Sequence, residues 1–282
     1  MRSQNFNSNK HLLYLVPTPI GNLDEMSPRA LEIIKDADLI ACEDTRVTLK
    51  LLSFFNISKP VISLREHNEV SEAKNIIPRI LSGLKVVYMS DAGYPCISDP
   101  GAKLVQLALE NDINVSSISG PNAALNALVA SGINPDHFYF HGFLSAKEKE
   151  RREELRKLSK KEETLIFYES PHRIQKTLTD MYVILGARKA CIARELTKKH
   201  EEYIRANLKD LSEIDPETLI GEMVIIIEGA SKEEQPEIDS SRVITMVNEL
   251  TNSGMSTKDA IKEVSKLTNL NKNYIYKIYH VN

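Results

Sequence analysis

The stretch SDAGYPCISDPG, Ser90–Gly101, indicates the fold class most clearly. It directly follows the uncharged apolar run VVYM at Val86–Met89. Short apolar runs of this kind are typical of strands that are buried on both faces of a parallel sheet. The stretch itself contains two glycines, two prolines and two aspartates, which are residue types that form turns. A turn-rich loop after a buried strand predicts a place where a sheet binds a ligand.

Strands and helices alternate on both sides of this loop. Apolar runs predict further strands at residues 12–16, 38–42, 61–64 and 115–119, and helical patterns lie at 27–36, 45–56, 70–82, 100–111 and 121–131. Ser27 followed by Pro28 is typical of a capped helix start. The alternation predicts an α/β domain with a mostly parallel sheet.

The pattern changes after residue 135. HFYFHGF at 137–143 predicts a strand that leaves the first domain, and residues 147–161 follow with eight basic and four acidic side chains. Strand patterns near 164–170, 189–196, 201–208 and 221–229 predict a second α/β domain with antiparallel pairs. We therefore expect domains at 12–141 and 142–230, a linker at 231–240 and a helical tail at 241–282.

Composition excludes several classes of protein. The chain is 42% hydrophobic and 27% charged with a net charge of −3, which is ordinary for a globular protein. The apolar run that ends at Val16 is too short for a signal peptide, so we expect a cytoplasmic protein without a membrane segment. Cys42, Cys96 and Cys191 form no CxxC pair, so we expect neither a disulfide framework nor a metal site.

Four loops are rich in small and turn-forming residues: VPTPIGN (16–22), SDAGYPCISDPG (90–101), SGPNAA (119–124) and YESPHR (168–173). Loops at the carboxyl ends of parallel strands line the ligand crevice of a sheet, so these loops predict a cleft between the domains. The sequence has no GxGxxG, GxxxxGK[ST] or GxSxG pattern. Asp91 and Asp99 could accept hydrogen bonds from an amine or a ribose hydroxyl. Asp99 before Pro100 is equally typical of a helix cap.

Six segments in order resemble a known family: VPTPIGNLDEMSPRAL, ACEDTR, SDAGYPCISDPG, SGPNAA, FYESPHR and RELTKKHEE. Together they are similar to the tetrapyrrole methylase superfamily, in its branch that methylates ribosomal RNA. The resemblance spans residues 12–229, and the tail fits the helical extension of that branch. The tetrapyrrole enzymes carry GxGPG in the first loop, whereas this chain has PTPIG at 17–21, which favours the RNA branch.

The resemblance implies S-adenosylmethionine as cofactor in a cleft between two α/β domains. It implies 2'-O-methylation of the ribose of a cytidine in the decoding region of 16S ribosomal RNA, either free or in the small ribosomal subunit, by a homodimer. Carried over position by position, the cofactor-binding residues are Pro19, Asp91, Ala92, Gly93, Ile97, Ser98, Ser119, Gly120 and Tyr168.

A ribose hydroxyl needs a proton acceptor, and the acids and His near the predicted cleft are candidates. Glu169, His172 and Asp44 are the preferred ones, beside Glu43 and Glu195, although each could instead form an ion pair or a cap. RNA phosphates would bind Lys and Arg, and the candidates are Arg46, Lys147, Arg151, Arg152, Lys258, Lys262 and Lys266. A solvated helix face is the alternative for the lysines.

Two other functions remain open from the sequence. One is C-methylation of a tetrapyrrole such as a corrinoid precursor. The other is RNA binding without catalysis, through the C-terminal helices.

Overall fold

The computed structural model describes residues 11–231, 240–268 and 272–280. Two compact units make up the chain, Met1–Ala230 and Ser231–Asn282. The first unit holds two five-stranded sheets, and the second is helical.

The first sheet is entirely parallel, with the strand order β3-β2-β4-β1-β5. Its strands are β1 (Leu12–Val16), β2 (Leu39–Cys42), β3 (Val61–Ser63), β4 (Val86–Met89) and β5 (Asn114–Ser117). Every residue of β2 and β4 is buried, because helices cover both faces of the sheet. The predicted parallel α/β architecture is confirmed.

Five helices follow these strands: α1 (Pro28–Asp36), α2 (Thr45–Phe54), α3 (Glu69–Leu81), α4 (Ala102–Glu110) and α5 (Ala123–Ser131). The predicted start of α1 is correct, since the Ala30 N–H donates to the Ser27 hydroxyl (3.1 Å) and Pro28 occupies the first turn. Apolar side chains of α1 and α2 share one core with the sheet, and those of α3 and α4 share another. The sheet is therefore sandwiched between two pairs of helices.

The second sheet has the order β6-β7-β10-β8-β9, in which only β6 and β7 are parallel. Its strands are β6 (Phe138–Phe143), β7 (Thr164–Glu169), β8 (Lys189–Arg194), β9 (Glu202–Asn207) and β10 (Met223–Ile227). Helices α6 (Glu148–Leu158), α7 (Ile174–Leu185) and α8 (Leu208–Ser212) supply the core on one face. On the other face α5 packs through Ala124, Ala127 and Leu128. Helix α5 therefore follows the last strand of the first sheet in sequence and packs against the second sheet.

The predicted domain limits stay a prediction. The proposed boundary between 141 and 142 falls inside β6, and all of β6 pairs with the second sheet. By strand pairing, the second sheet therefore begins at Phe138. Residues 232–239 of the predicted linker lie outside the described residues.

The second unit contains the predicted tail helices: α9 (Ser240–Asn252), α10 (Thr257–Thr268) and α11 (Lys272–His280). They share a core of Val243, Val247, Ala260, Ile261, Val264 and Ile275. At the start of α10 the Asp259 N–H donates to the Ser256 hydroxyl (3.2 Å), as a capping residue requires. Across the ranges that the structure describes, no helix has the length and apolar character needed to cross a membrane.

Candidate active site

Two loops at the carboxyl ends of neighbouring strands are bonded to each other. Thr18, after β1, and Gly93, after β4, exchange backbone hydrogen bonds of 2.9 and 3.0 Å. The Thr18 hydroxyl donates to the Ser90 carbonyl oxygen (3.1 Å), and the Ser90 hydroxyl donates to the Gly93 carbonyl oxygen (2.7 Å). Because these hydroxyls are buried, the bonds hold the two loops together as one wall.

The loop 90–101 has a strained backbone. Cys96 and Ser98 adopt φ values of +69° and +63°, which cost non-glycine residues about 1–3 kcal/mol each. Gly101 has a φ of +123°, and a Cβ at this position would collide with the ring of buried Tyr88. Backbone strain of this kind concentrates at ligand-binding and catalytic sites.

A third loop packs against this wall. The Gly120 N–H, after β5, donates to the Tyr94 hydroxyl (3.0 Å). A Cβ on Gly120 would lie 2.9 Å from the Pro17 ring, so the absence of a side chain permits the approach. The three predicted loops of the first sheet therefore meet at one edge, as expected.

The second sheet contributes the other side of the predicted cleft through the segment after β8. Glu195 and Thr197 have φ values of +50° and +66°, so this segment is strained as well. Lys198 Nζ lies 2.9 Å from Glu195 Oε1 and 3.5 Å from Glu222 Oε2. The hydrogen bond from Lys198 lowers the pKa of Glu195, which keeps this carboxylate charged and paired.

A cavity of about 400 Å³ lies between the two walls, within the size range of small-molecule sites. It is lined by residues of both sheets, including Asp91, Ala92, Gly93, Ile97, Ser98, Asp99, Tyr168, Glu169, Glu195, Leu196, Met223 and Val224. The expected cleft between the two sheets is therefore present.

Six of the nine residues predicted to bind the cofactor line this cavity: Asp91, Ala92, Gly93, Ile97, Ser98 and Tyr168. Pro19, Ser119 and Gly120 are outside the lining set and belong to the adjoining loops. Burial raises the pKa of the Tyr168 hydroxyl, which favours its neutral form.

Sequence reasoning missed several lining residues, among them Ile20, Asn122, Phe143 and Leu196. Phe143 ends β6, and its ring packs edge-on against Tyr168 at 5.6 Å between centroids. These residues belong to segments that the sequence analysis had singled out, but only the folded chain shows which side chains face inward.

Asp44 is a capping residue outside the lining of the cavity. Its carboxylate accepts hydrogen bonds from the Arg46 backbone N–H (2.9 Å) and from Arg46 Nη2 (2.5 Å) at the start of α2. The hydrogen bonds from Arg46 hold the pKa of Asp44 well below its usual range. A carboxylate with so low a pKa is a weak base, which argues against the predicted catalytic role.

Glu169 lines the cavity, but its oxygens are already bound. The carboxylate accepts from Arg173 Nη2 (3.0 Å), the Thr177 hydroxyl (2.6 Å) and the Ser170 N–H (2.8 Å). His172 is exposed and does not line the cavity. The structure therefore favours the alternative role for Glu169, that of a buried ion-pair partner.

Asp99 does not cap α4, which was the alternative role predicted for it. The cap position of α4 is Gly101, and the carboxylate that accepts the free N–H groups belongs to Glu69 (2.9 Å from Gly101 N, 2.6 Å from Lys103 N). Asp99 lines the cavity instead. Burial, together with the neighbouring Glu43 and Asp91 carboxylates, raises its pKa to about 7.

The side chains predicted to bind RNA differ in their exposure to solvent. The side chains of Arg46 and Lys147 are 81% and 79% exposed, and Lys258 and Lys262 are exposed on α10. Arg152 is partly exposed and pairs with Asp180 and Glu148. The placement of the Lys266 side chain lies outside the described residues.

Arg151 requires a correction. Its side chain is only 5% exposed, and its guanidinium pairs with the equally buried Asp180 at 2.6 Å. The charge run around it predicted an exposed residue, but Arg151 faces α7 rather than solvent. A buried, paired guanidinium cannot reach RNA phosphate, so its role is structural.

In the part of the chain that the structure describes, no cluster of three or more His, Cys, Asp or Glu side chains is placed to hold a metal ion.

Comparison with known proteins places this geometry in a family. The model of the Tetrapyrrole (Corrin/Porphyrin) Methylases matches residues 12–212. Solved structures agree on the fold: cobalt precorrin-4 methyltransferase has a TM-score of 0.56 at 17% identity over 77% of this chain and 95% of its own. The methyltransferase CobJ has a TM-score of 0.60 at 16% identity, covering 79% and 95%. The chain is therefore a methyltransferase of the tetrapyrrole methylase class.

Relatives that are similar over nearly the full length of the chain identify the family within this class. The ribosomal RNA small subunit methyltransferase I of Bacillus subtilis (strain 168) is 42% identical, covering 99% of this chain and 98% of its own. The protein of that name from Halalkalibacterium halodurans is 44% identical, covering 96% and 95%. The chain belongs to the ribosomal RNA small subunit methyltransferase I family. The predicted family, fold and enzyme class are confirmed.

The cavity fits the methyl donor predicted from the sequence, S-adenosylmethionine, which family membership confirms as the cofactor. A uroporphyrin-III C-methyl transferase from Thermus thermophilus that shares the fold, with a TM-score of 0.52, was solved with S-adenosyl homocysteine. In this chain Ile97, Leu196 and Val224 offer apolar surface to an adenine ring. The Asp91 carboxylate and the Ser98 hydroxyl offer polar contacts to hydroxyl and ammonium groups.

Proposed function

We propose that this chain transfers a methyl group from S-adenosylmethionine to the 2'-oxygen of a cytidine ribose in the decoding region of 16S ribosomal RNA. The observation that carries the proposal is the cavity between the two sheets, walled by strained loops and lined with carboxylates, in a chain that aligns end to end with ribosomal RNA methyltransferases. The substrate is free 16S RNA or the small ribosomal subunit.

The cofactor would be held mainly by the wall after β4. Asp91, Ala92, Gly93, Ile97 and Ser98 line the cavity from this side, and Tyr168 lines it from the second sheet. Pro19, Ser119 and Gly120 would support them from the adjoining loops. When bound, S-adenosylmethionine supplies a methyl group that is already activated on a sulfonium. The chain therefore has to orient the ribose hydroxyl, exclude water and accept a proton.

The RNA would bind through exposed basic side chains, because phosphate contacts from Lys and Arg supply much of the affinity for nucleic acids. On the first unit these are Arg46 and Lys147, with Arg152 partly exposed. On the tail unit they are Lys258 and Lys262, and we include Lys266 from its sequence spacing of four.

We further propose that the protein is a homodimer that works in the cytoplasm. The family resemblance supports the dimer, and a ribosomal substrate supports the location. Sedimentation equilibrium tests the dimer: a single species of twice the chain mass supports it, and a monomer at micromolar concentration contradicts it.

The activity is tested by incubating the protein with labelled S-adenosylmethionine and small ribosomal subunits or 16S RNA that lack the modification. We expect label in the RNA, abolished when the cofactor analogue sinefungin occupies the site. A corrinoid precursor as the sole methyl acceptor would contradict the proposal and support tetrapyrrole C-methylation. RNA binding without label transfer would support a non-catalytic module.

A further inference from the structure

Helix α11 of the tail unit packs against that unit through one face. Ile275 is buried, and Ile278 and Tyr279, three and four positions later, pack against the same core. The Tyr279 hydroxyl also donates to Asn248 Oδ1 (2.9 Å), which ties α11 to α9. The core of the tail unit therefore uses the inner face of α11, and its packing does not explain the residues on the outer face.

The outer face of α11 carries rings and cations. Among the residues of α11 whose side chains the structure describes, the exposed ones are Lys272, Tyr274, Tyr276, Lys277 and His280. Tyr274 and Tyr276 are 48% and 58% exposed. Rings left in solvent bury little apolar area, so they contribute little to the stability of the unit.

Two of these rings form one continuous surface. The ring centroids of Tyr276 and His280 lie 4.3 Å apart, with the rings tilted by 56°. His280 also packs edge-on against Tyr279 at 5.3 Å, which holds the imidazole in place. Residues four positions apart share one side of a helix, so Lys272 lies one turn before Tyr276 on that side. The outer face thus presents two adjoining rings with a cation beside them.

The charge of α11 indicates an anionic partner. Its sequence, KNYIYKIYH, contains two lysines and no acidic residue. Helix α10 adds the exposed Lys258 and Lys262 but also carries Asp259 and Glu263, so α11 is the more cationic of the two helices.

The kind of side chain on the outer face indicates which anionic partner fits. A helix that docks on a protein or a membrane presents aliphatic side chains, whereas the described exposed residues of α11 are all aromatic or basic. Unpaired bases stack on aromatic rings, and phosphates pair with lysine. Single-stranded RNA offers both groups.

We propose that α11 binds an unpaired segment of the RNA substrate, with bases stacked on Tyr276 and His280 and phosphates paired with Lys272 and Lys277. The inference rests on the proposed function, because that function supplies RNA as the partner. It adds a contact to bases, whereas the lysines of α10 would contact the backbone alone. Bases in a duplex are already stacked on each other, so this face selects unpaired RNA.

The first test measures the affinity of the full chain for a short unpaired segment of 16S RNA and for a duplex of the same sequence. We expect Tyr276→Ala to lose about tenfold in affinity for the unpaired strand and to bind the duplex as the wild type does. Tyr276→Phe keeps a ring and should retain most of the affinity. Tyr276→Leu keeps an apolar side chain without a π-face and should lose it.

The matched control is Met255→Ala, which removes an exposed side chain without a ring from the same unit. It should bind both RNAs as the wild type does. Circular dichroism and Tm should be the same for Met255→Ala, Tyr276→Ala and the wild type, because both side chains lie at the surface.

The salt dependence separates the rings from the lysines. Each phosphate contact that is lost makes the slope of log K against log salt shallower by about 0.7 for a single strand. Lys272→Ala should therefore show a shallower slope, whereas Tyr276→Ala should keep the wild-type slope at a lower affinity. In turnover, Tyr276→Ala should raise KM for the RNA far more than it lowers kcat, because the ring binds RNA away from the reacting atoms.

A fluorescent reporter can be placed on the outer face itself. The chain contains no tryptophan, so the emission of Tyr276→Trp comes from this position alone. We expect the unpaired RNA to quench this emission, because a base stacks on the indole. The duplex should quench it much less.

Three results would overturn the proposal. They are an RNA affinity of Tyr276→Ala equal to that of the wild type, full affinity of Tyr276→Leu, which would indicate an apolar contact of the kind proteins make, and emission of Tyr276→Trp that the unpaired RNA does not quench. If the wild type binds RNA but forms no 2'-O-methylcytidine, the proposed function fails and the binding data still support the role of α11. If the wild type forms it and Tyr276→Ala binds RNA equally well, only the role of α11 fails.

Discussion

Lys147 and Arg151 lie one helical turn apart in sequence, yet only Lys147 meets solvent. Arg151 turns inward because Asp180 on α7 presents a carboxylate that is only 3% exposed. Removing one partner of a buried pair costs about 3–5 kcal/mol when the other charge is left uncompensated. Arg152 still bonds Asp180 at 2.7 Å when Arg151 is removed, so Arg151→Ala should lower the free energy of unfolding by less than this, about 2 kcal/mol, in urea titrations.

The matched control for that variant is Lys147→Ala, which removes an exposed charge from the same segment. A surface pair of this kind is worth about 0–1 kcal/mol. Equal stability of the two variants would refute the structural role assigned to Arg151.

The position of Asp91 predicts how its substitution changes the affinity for the cofactor. Its carboxylate lines the cavity and, among the residues that the structure describes, accepts one hydrogen bond, from the Asp44 N–H. A hydrogen bond to a charged group is worth about 1.5–3 kcal/mol, so Asp91→Ala should weaken S-adenosylmethionine binding about ten- to a hundredfold. Calorimetry measures the affinity, and circular dichroism checks that the variant is folded. Unchanged affinity would remove Asp91 from the cofactor site.

At the scale of elements, the loop 90–101 depends on its last residue. Gly101 has a φ of +123°, and any Cβ would meet the Tyr88 ring. Gly101→Ala should therefore lose both stability and methyl transfer, since strain of about 1–3 kcal/mol is joined by a collision in the core.

Gly83 offers the matched control, because it has a φ of +99° but open space around its Cβ position. Gly83→Ala should lose stability through backbone strain alone and keep its activity. Similar effects of the two alanines on methyl transfer, measured at a temperature where both are folded, would contradict the role of this loop.

Much of the secondary structure could be predicted from the sequence. Strands β2 and β4 were predicted at residues 38–42 and 86–89, because a strand buried on both faces must be apolar, as LIAC and VVYM are. The capping of α4 was not visible, because Glu69 comes from 32 positions earlier in the chain. For the same reason, no local pattern could show that Glu69 rather than Asp99 accepts the N–H groups at the start of α4.

At the scale of the molecule, the sequence indicated two sheets and a helical tail but not the order of the strands. The order β3-β2-β4-β1-β5 places β1 between β4 and β5, which is why loops separated by about seventy residues bond to each other, as Thr18 does to Ser90. Pairing over such distances depends on tertiary packing, which periodicity does not encode.

The tail unit has its own core and should be removable. Deleting residues 239–282 should weaken RNA binding, because it removes Lys258, Lys262 and Lys266, while S-adenosylmethionine affinity is unchanged. Filter binding at several salt concentrations should also show a shallower salt dependence, since fewer counterions are released. RNA affinity and salt dependence equal to those of the full chain would refute the role of the tail.

The central claim is that this cavity methylates a cytidine ribose in 16S RNA, and nucleoside mass spectrometry tests it most directly. Unmodified small subunits would be treated with the protein and S-adenosylmethionine that carries a deuterated methyl group, and the RNA would be digested to nucleosides. We predict that the label appears in cytidine and that fragmentation places it on the ribose. Label on a base, or no label in the RNA, would contradict the claim.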